Sequence, residues 1–192
     1  MQTEKSADEI VVTGIKRDRS LHDLAQSAAV LTGTWLEETG ALRLDDYWRT
    51  VPSLNVYDAA FGGDTVIIRG LADTDNFQQP ESMNAFYFDD TAITHVEGLF
   101  ATPGDPTLID IERIEVFRGP QGSTMGANAM GGAVRVVSRE PVLDEFELRA
   151  SMNVSDTAHG GLNLGGSAIL NAPAGITGSA VRLVAFYQDD DG

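Results

Sequence analysis

The C-terminal part of the chain alternates strictly between apolar and polar residues, and this pattern constrains the fold more than any other feature. In residues 146–155 every second side chain is apolar, and the side chains between them are polar or charged. Because successive side chains of a strand point to opposite faces, the pattern predicts a strand with one apolar face. A tilted strand that crosses a bilayer has this length, but half-buried strands of soluble sheets alternate in the same way.

Two more alternating segments follow, over residues 162–170 and 181–188. The third is less regular, because Val184 and Phe186 fall among its polar positions. Three strands cannot close a barrel, since the smallest membrane barrels have about eight strands. An open apolar edge would also promote aggregation. We therefore expect a truncated chain whose missing remainder continues the sheet.

The residues before this region predict a compact α+β domain over residues 15–143. Thr34 and Glu37 have the spacing of a capping box, and Gly40 can end that helix. Leu44, Tyr47, Trp48 and Val51 recur at helical spacing ahead of Pro52, and a further helical turn is expected at residues 107–111. Strands are predicted at residues 65–69, 85–88, 114–117 and 133–137.

Composition and charge exclude several classes of function. The chain has 13 Lys and Arg against 29 Asp and Glu, a net charge of −16, which argues against nucleic-acid binding. It has no cysteine, and its three histidines lie too far apart in sequence to form a ligand set, so we expect no metal site and no cofactor. No nucleophile–base pair is recognisable, so we expect no enzyme.

Residues 111–141 form the most distinctive motif, a strand, a glycine-rich excursion and a second strand. A phosphate-binding loop is excluded because no Lys-Ser or Lys-Thr follows the glycines. Ser123 lies in Gly-Ser-Thr-Met-Gly, which is not a nucleophile elbow. Taken alone, the segment predicts a structural turn, since glycines permit positive φ angles and close backbone approach.

Four segments together resemble the plug domain of TonB-dependent outer-membrane receptors. They are residues 9–14 (Glu-Ile-Val-Val-Thr-Gly, similar to a TonB box), 51–54 (Val-Pro-Ser-Leu), 68–70 (Ile-Arg-Gly) and 111–141, with its Arg-Gly-Pro-Gln-Gly and Gly-Ala-Asn-Ala-Met-Gly-Gly-Ala. The chain departs from the family at residues 123–125 and at Ala127. It also has Asp89-Asp90-Thr91 where Asp-Gly-Val is common.

The resemblance implies a fold and a location. Residues 1–14 would be a flexible N-terminus with the TonB box. Residues 15–143 would be an α+β plug domain with a small mixed sheet and short helices, and residues 144–192 the first three strands of an antiparallel transmembrane β-barrel. Family barrels have 22 strands and a plugged lumen. The protein would lie in the outer membrane of a Gram-negative bacterium.

The resemblance also implies partners and site residues. TonB would bind by strand addition to the box residues Glu9, Ile10, Val11, Val12, Thr13 and Gly14. Arg69 and Arg118 would face carboxylates of later barrel strands, beyond Gly192, and so lock the plug in place. The loops at 73–83 and 97–105 are candidates for facing a substrate, through Asp73, Asp75, Asn76 and Gln78, although ordinary solvated loops fit equally well.

The implied function is import of a bulky nutrient, such as a ferric siderophore, driven through TonB. The substrate cannot be read from the sequence, because the long barrel loops that distinguish family members lie outside this chain. The alternative is a standalone periplasmic module that binds a ligand without transporting it. Residues 146–170 discriminate, because a soluble module does not need bilayer-length strands with an apolar outer face.

Overall fold

A computed structural model describes residues 11–12, 19–20, 27–59, 63–72, 83–93, 106–126, 128–156, 161–175 and 178–189. The chain divides into two units, Met1–Ser138 and Arg139–Gly192. No helix in the described ranges is long and apolar enough to cross a membrane.

The first unit combines short strands with three short helices in its described part. Its strands are β1 (Val11–Val12), β2 (Arg19–Ser20), β3 (Ser27–Thr32), β4 (Leu54–Ala59), β5 (Gly63–Ile68), β6 (Leu71–Ala72), β7 (Asn84–Phe88), β8 (Thr91–Ala92), β9 (Ile111–Arg118) and β10 (Gly132–Ser138). Its helices are α1 (Gly33–Thr39), α2 (Leu44–Tyr47), which continues as a 3-10 turn (Trp48–Thr50), and α3 (Gly122–Met125).

A mixed sheet with the order β3-β9-β10-β7-β8 forms the centre of the first unit, as far as its residues are described. Strands β10 and β7 run parallel, and the other neighbours are antiparallel. A separate antiparallel sheet has the order β4-β5-β6. This arrangement of a small mixed sheet with short helices confirms the predicted α+β class.

One face of the mixed sheet carries the main hydrophobic core. Ile114 and Val116 of β9, fully buried, pack in one cluster with Leu36 of α1 and Leu44 of α2. Burial of these side chains is the main force that holds the short helices in place, because helices of this length are not stable alone in water. The other face carries a smaller cluster around Phe117.

Helix α1 begins two residues earlier than the capping-box spacing predicted. The hydroxyl of Thr32, not Thr34, caps it by accepting a hydrogen bond from the Trp35 amide at 3.3 Å. Gly33 permits this earlier start beside β9, because a Cβ at this position would lie 2.0 Å from the Ile111 carbonyl oxygen and any other residue would clash. The predicted end is confirmed, since Gly40 caps the helix at φ 69°.

The helical turn predicted at residues 107–111 is wrong. Asp110 adopts a left-handed φ of 60°, and Ile111 already begins β9. The Leu108 amide donates to the Leu42 carbonyl at 2.9 Å, so a contact distant in sequence determines the path of this segment. The second predicted helix is confirmed as α2 and its 3-10 turn, which end ahead of Pro52.

The second unit is an antiparallel sheet of three strands within the described residues: β11 (Glu147–Asp156), β12 (Leu162–Pro173) and β13 (Ala180–Asp189). The register aligns Ala150, Ala168 and Ala185 across the sheet. One face is therefore apolar, with large side chains exposed at Leu148, Met152, Val154, Leu162, Leu164, Val181, Leu183 and Tyr187. The other face carries the polar residues, together with Ile169, Val184 and Phe186.

A buried asparagine attaches the segment before β11 to this sheet. The side chain of Asn171, in β12, is fully buried. Its Oδ1 accepts from the Val142 amide at 2.9 Å, and its Nδ2 donates to the carbonyls of Val142 at 2.9 Å and Glu145 at 2.6 Å. The side-chain amide of Asn171 thus supplies hydrogen bonds to backbone groups of residues that belong to no strand.

We expect Gly132→Ala to destabilise the first unit strongly. A Cβ at this position would lie 2.3 Å from the Phe117 carbonyl oxygen and 3.0 Å from Ile68, so the pairing of β9 and β10 must shift. The cost should reach about 1–3 kcal/mol of the free energy of unfolding. Urea unfolding of the chain in detergent, followed by tryptophan fluorescence, measures it.

Gly122→Ala is the matched control for this prediction. A Cβ there meets nothing within 4 Å. The control should leave stability unchanged or raise it by less than about 1 kcal/mol. Equal destabilisation by the two variants would contradict the close approach at Gly132.

Candidate functional site

Three of the motif segments meet at one edge of the first unit. The Arg69 amide donates to the Ser53 carbonyl at 3.0 Å, and the Arg118 Nη1 donates to the Pro52 carbonyl at 3.3 Å. The Arg69 guanidinium lies over Gly119. These five residues are called the arginine edge below. The structure thus brings together Arg69 and Arg118, which are far apart in sequence.

Arg69 occupies a strained turn. Ile68 of β5 pairs with Leu71 of β6, so Arg69 and Gly70 form a two-residue hairpin loop. Their φ angles are 53° and 78°, and positive φ at both positions matches the right-handed twist of the strands. An arginine in this conformation costs about 1–3 kcal/mol, so other contacts must hold it there.

Gly119 leaves the space that the Arg69 side chain occupies. A Cβ on Gly119 would lie 3.1 Å from the Arg69 Nη1, and its φ of 101° disfavours any other residue. Arg118 therefore supplies one guanidinium, and the neighbouring Gly119 leaves room for the guanidinium of Arg69.

Arg118 ends β9 with its guanidinium turned back over the sheet. Besides the bond to Pro52, its Nη2 donates to the Ala28 carbonyl at 3.3 Å. Its Nε is buried and has no hydrogen-bond partner in the described structure. Carbonyl oxygens bind the group without neutralising its charge.

Neither arginine of this edge forms an ion pair with a carboxylate of the described residues. Other described arginines do, namely Arg113, Arg135, Arg149 and Arg182. A guanidinium suits bidentate binding of a carboxylate. The arginine edge therefore offers two positive charges to an acidic partner.

A buried charge network, which the sequence analysis missed, lies on the face of the mixed sheet that carries the smaller cluster around Phe117. Glu115 is fully buried, and its carboxylate accepts from the Arg113 Nε at 2.8 Å and lies 3.5 Å from the Arg135 Nη1. Arg135 also contacts the next turn through the Asp89 carbonyl at 2.7 Å and the Asp90 carboxylate at 2.9 Å. The sequence contains a signal for this network, because Glu115 of β9 and Arg135 of β10 are charged residues that each stand between two apolar neighbours.

The same network stabilises the turn in which the sequence departs from the family pattern. Asp89 takes a left-handed φ of 52°, and its carboxylate accepts from the Ser138 amide at 2.8 Å and hydroxyl at 2.9 Å. Nearby, the Tyr87 hydroxyl donates to the Met125 carbonyl, and burial raises the pKa of Tyr87 above its ordinary value. This hydrogen bond joins β7 to α3.

The structure describes only part of the other predicted sites. Val11 and Val12 pair with Ser20 and Arg19 in an antiparallel ladder. The remaining box residues, Glu9, Ile10, Thr13 and Gly14, lie outside the described residues, as do Asp73, Asp75, Asn76, Gln78 and the loop 97–105. Among the side chains that are described, no three His, Asp or Glu residues are grouped to hold a metal ion.

Comparison with known families identifies the family of the first unit. The family model "TonB-dependent Receptor Plug Domain" matches residues 20–133. The chain belongs to this family. The matched residues include Arg69, Arg118 and most of the glycine-rich segment, so the resemblance drawn from the motifs is confirmed.

Curated relatives are receptors and transporters. The pesticin receptor of Yersinia pestis is 26% identical over 184 residues, which cover 88% of this chain and 26% of that protein. The vitamin B12 transporter BtuB of Vibrio vulnificus is 30% identical over 139 residues, covering 71% of this chain and 22% of the transporter. The chain thus spans about a quarter of the length of these relatives.

Solved structures share the fold. The ferripyoverdine receptor of the outer membrane of Pseudomonas aeruginosa, bound to ferripyoverdine, superposes with a TM-score of 0.72 at 20% identity, over 93% of this chain and 22% of the receptor. The ferric yersiniabactin uptake receptor FyuA of Yersinia pestis gives a TM-score of 0.64 at 23% identity, over 83% of this chain and 24% of FyuA. The fold of a plug followed by antiparallel strands is therefore confirmed.

Proposed function

We propose that the chain forms the plug and first barrel strands of a receptor in the outer membrane of a Gram-negative bacterium. The receptor imports a bulky solute, such as a ferric siderophore, with energy delivered through TonB, and has no catalytic residues. The observation that carries the proposal is the sheet of the second unit, whose apolar side chains are exposed along one whole face. The relatives named as siderophore receptors and vitamin B12 transporters support the substrate class.

The exposed face favours this proposal over the alternative of a standalone periplasmic module. Leu148 is 69% exposed, Met152 74% and Leu183 58%. Soluble proteins rarely expose continuous apolar patches of this kind, whereas the outer face of a membrane barrel consists of them. Strands of ten and twelve residues are long enough to cross a bilayer when tilted.

The first test places arginine on each face of β13. Ala185 belongs to the apolar face and Val184 to the polar face, so Ala185→Arg and Val184→Arg introduce the same charge at neighbouring positions. Ala185→Arg should make folding into lipid vesicles less favourable by about 2–4 kcal/mol, because a charge near the bilayer midplane is costly. Val184→Arg should cost clearly less. If Ala185→Arg and Val184→Arg destabilise the complete receptor equally, the apolar face of the sheet is not in contact with lipid.

We also propose that Arg69 and Arg118 lock the plug to the barrel through carboxylates on its inner wall. Two observations support this role: both arginines belong to the arginine edge, and neither has a described carboxylate partner. In a lumen with little water, an ion pair with good geometry is expensive to break, because each charge would be left desolvated.

The second test is Arg118→Ala in the complete receptor. Its plug should unfold at a lower force when it is pulled from the N-terminus, since removing one partner of a buried ion pair costs about 3 kcal/mol or more. Arg49→Ala is the control, because Arg49 stacks on Trp48 at 5.1 Å, outside the arginine edge. An unchanged unfolding force for Arg118→Ala would contradict the lock.

TonB would bind the box by strand addition. Val11 and Val12 already have the extended conformation that this mode requires. Main-chain hydrogen bonds between the box and TonB would make the pairing strong enough to transmit a pulling force.

The third test is binding of a peptide with residues 9–14 to the C-terminal domain of TonB. Val11→Pro should weaken binding about fivefold or more, because proline removes a main-chain donor whose hydrogen bond contributes about 1 kcal/mol or more. Val11→Thr keeps the donor and the β-branched shape, so it should bind like the original peptide. No binding of the original peptide in calorimetry would reject the assignment of the box.

A further inference from the structure

Asn84 joins the hairpin that carries Arg69 to the mixed sheet. It is the first residue of β7, and its side chain is fully buried. Its Nδ2 donates to the Val66 carbonyl at 2.8 Å and to the Leu71 carbonyl at 3.0 Å. Val66 belongs to β5 and Leu71 to β6, so one amide group holds both arms of the hairpin.

Two glycines of the distinctive motif make room for this joint. A Cβ on Gly131 would lie 2.4 Å from the Asn84 Oδ1 and 3.1 Å from the Leu71 Cβ. A Cβ on Gly132 would meet Ile68 at 3.0 Å. The Gly-Gly pair is therefore the surface on which the hairpin rests, and Asn84 is the donor that attaches it there.

The hairpin needs such an attachment because its turn is strained. Arg69 has a left-handed φ, which persists only where surrounding contacts outweigh its cost. Besides the pairing of β5 with its neighbours β4 and β6, three hydrogen bonds hold the turn and its arms: the Arg69 amide to Ser53, and the two bonds from Asn84. If the bonds from Asn84 are lost, we expect the turn to relax and the Arg69 guanidinium to move away from Gly119.

We propose that Asn84 is the positioning residue that presents Arg69 to its carboxylate partner. The proposal rests on the lock described above and names a residue on which it depends. Both hydrogen bonds of its side-chain Nδ2 go to the arms of the Arg69 hairpin, whereas the Arg118 guanidinium is bound by the carbonyls of Pro52 and Ala28. The loss of Asn84 therefore affects the Arg69 half of the arginine edge.

The test is Asn84→Asp in the complete receptor in outer-membrane vesicles. Aspartate keeps the shape but replaces the donor with an acceptor, which faces the two carbonyl oxygens. Amide hydrogen exchange in residues 66–71 should accelerate at least about tenfold, while exchange in β9 and β10 stays unchanged. Gly131→Ala should reproduce the effect by displacing the asparagine, and Gly122→Ala should not.

Plug retention under a pulling force separates positioning from a general loss of stability. Asn84→Asp should lower the unfolding force of the plug in the original receptor and in the Arg118→Ala variant. In the Arg69→Ala variant it should leave the unfolding force unchanged. A merely structural role lowers the force in all three backgrounds alike. Additive effects of the Asn84 and Arg69 substitutions would overturn the proposal.

The two proposals fail in different ways. If Arg69→Ala leaves retention unchanged, the lock through Arg69 fails, and hydrogen exchange alone decides whether Asn84 positions the turn. If exchange in residues 66–71 is unchanged by Asn84→Asp and by Gly131→Ala, the positioning role is rejected whatever the lock does. If Asn84→Asp does not fold, Gly131→Ala takes its place in both measurements.

Discussion

The close pairing of β9 with β10 is the contact on which the first unit depends. Gly132 lies so near the Phe117 carbonyl that no side chain fits between them, and Ile68 of the β4-β5-β6 sheet packs into the same place. The absence of a side chain thus lets two sheets and the Arg69 hairpin meet at one edge. Glycines that the sequence assigns to a structural turn are here the site of close packing, because backbone and side chains lie directly against them.

Charge in the first unit is divided between two kinds of environment. On one face of the sheet Glu115 and its arginine partners satisfy one another, which fixes the turn at Asp89 and Asp90. At the arginine edge the Arg118 guanidinium binds carbonyl oxygens instead. A buried network of the first kind holds a domain together, whereas groups of the second kind remain available to a partner. This contrast, more than the presence of arginine, distinguishes the proposed lock from ordinary ion pairs.

The sequence predicted what depends on local pattern and missed what depends on contacts distant in sequence. Alternation located the strands of the second unit, and the motif segments 68–70 and 111–141 pointed to Arg69 and Arg118. The cap at Thr32 and the left-handed Asp110 were missed, because a carbonyl of β9 and a bond to Leu42 determine them. Asn84 gave no signal, since a single asparagine at the start of a strand is ordinary until its two carbonyl partners are known.

The irregular third strand bears on what surrounds the second sheet. Val184 and Phe186 disturb the alternation, and the register places them on the polar face beside Ile169, with Phe186 53% exposed. The sheet therefore has apolar side chains on both faces, a combination that is unfavourable for a ribbon in water. A wall with lipid on one side and a filled lumen on the other removes both faces from water. The residues that weaken the alternation thus favour a barrel wall over a half-buried soluble sheet.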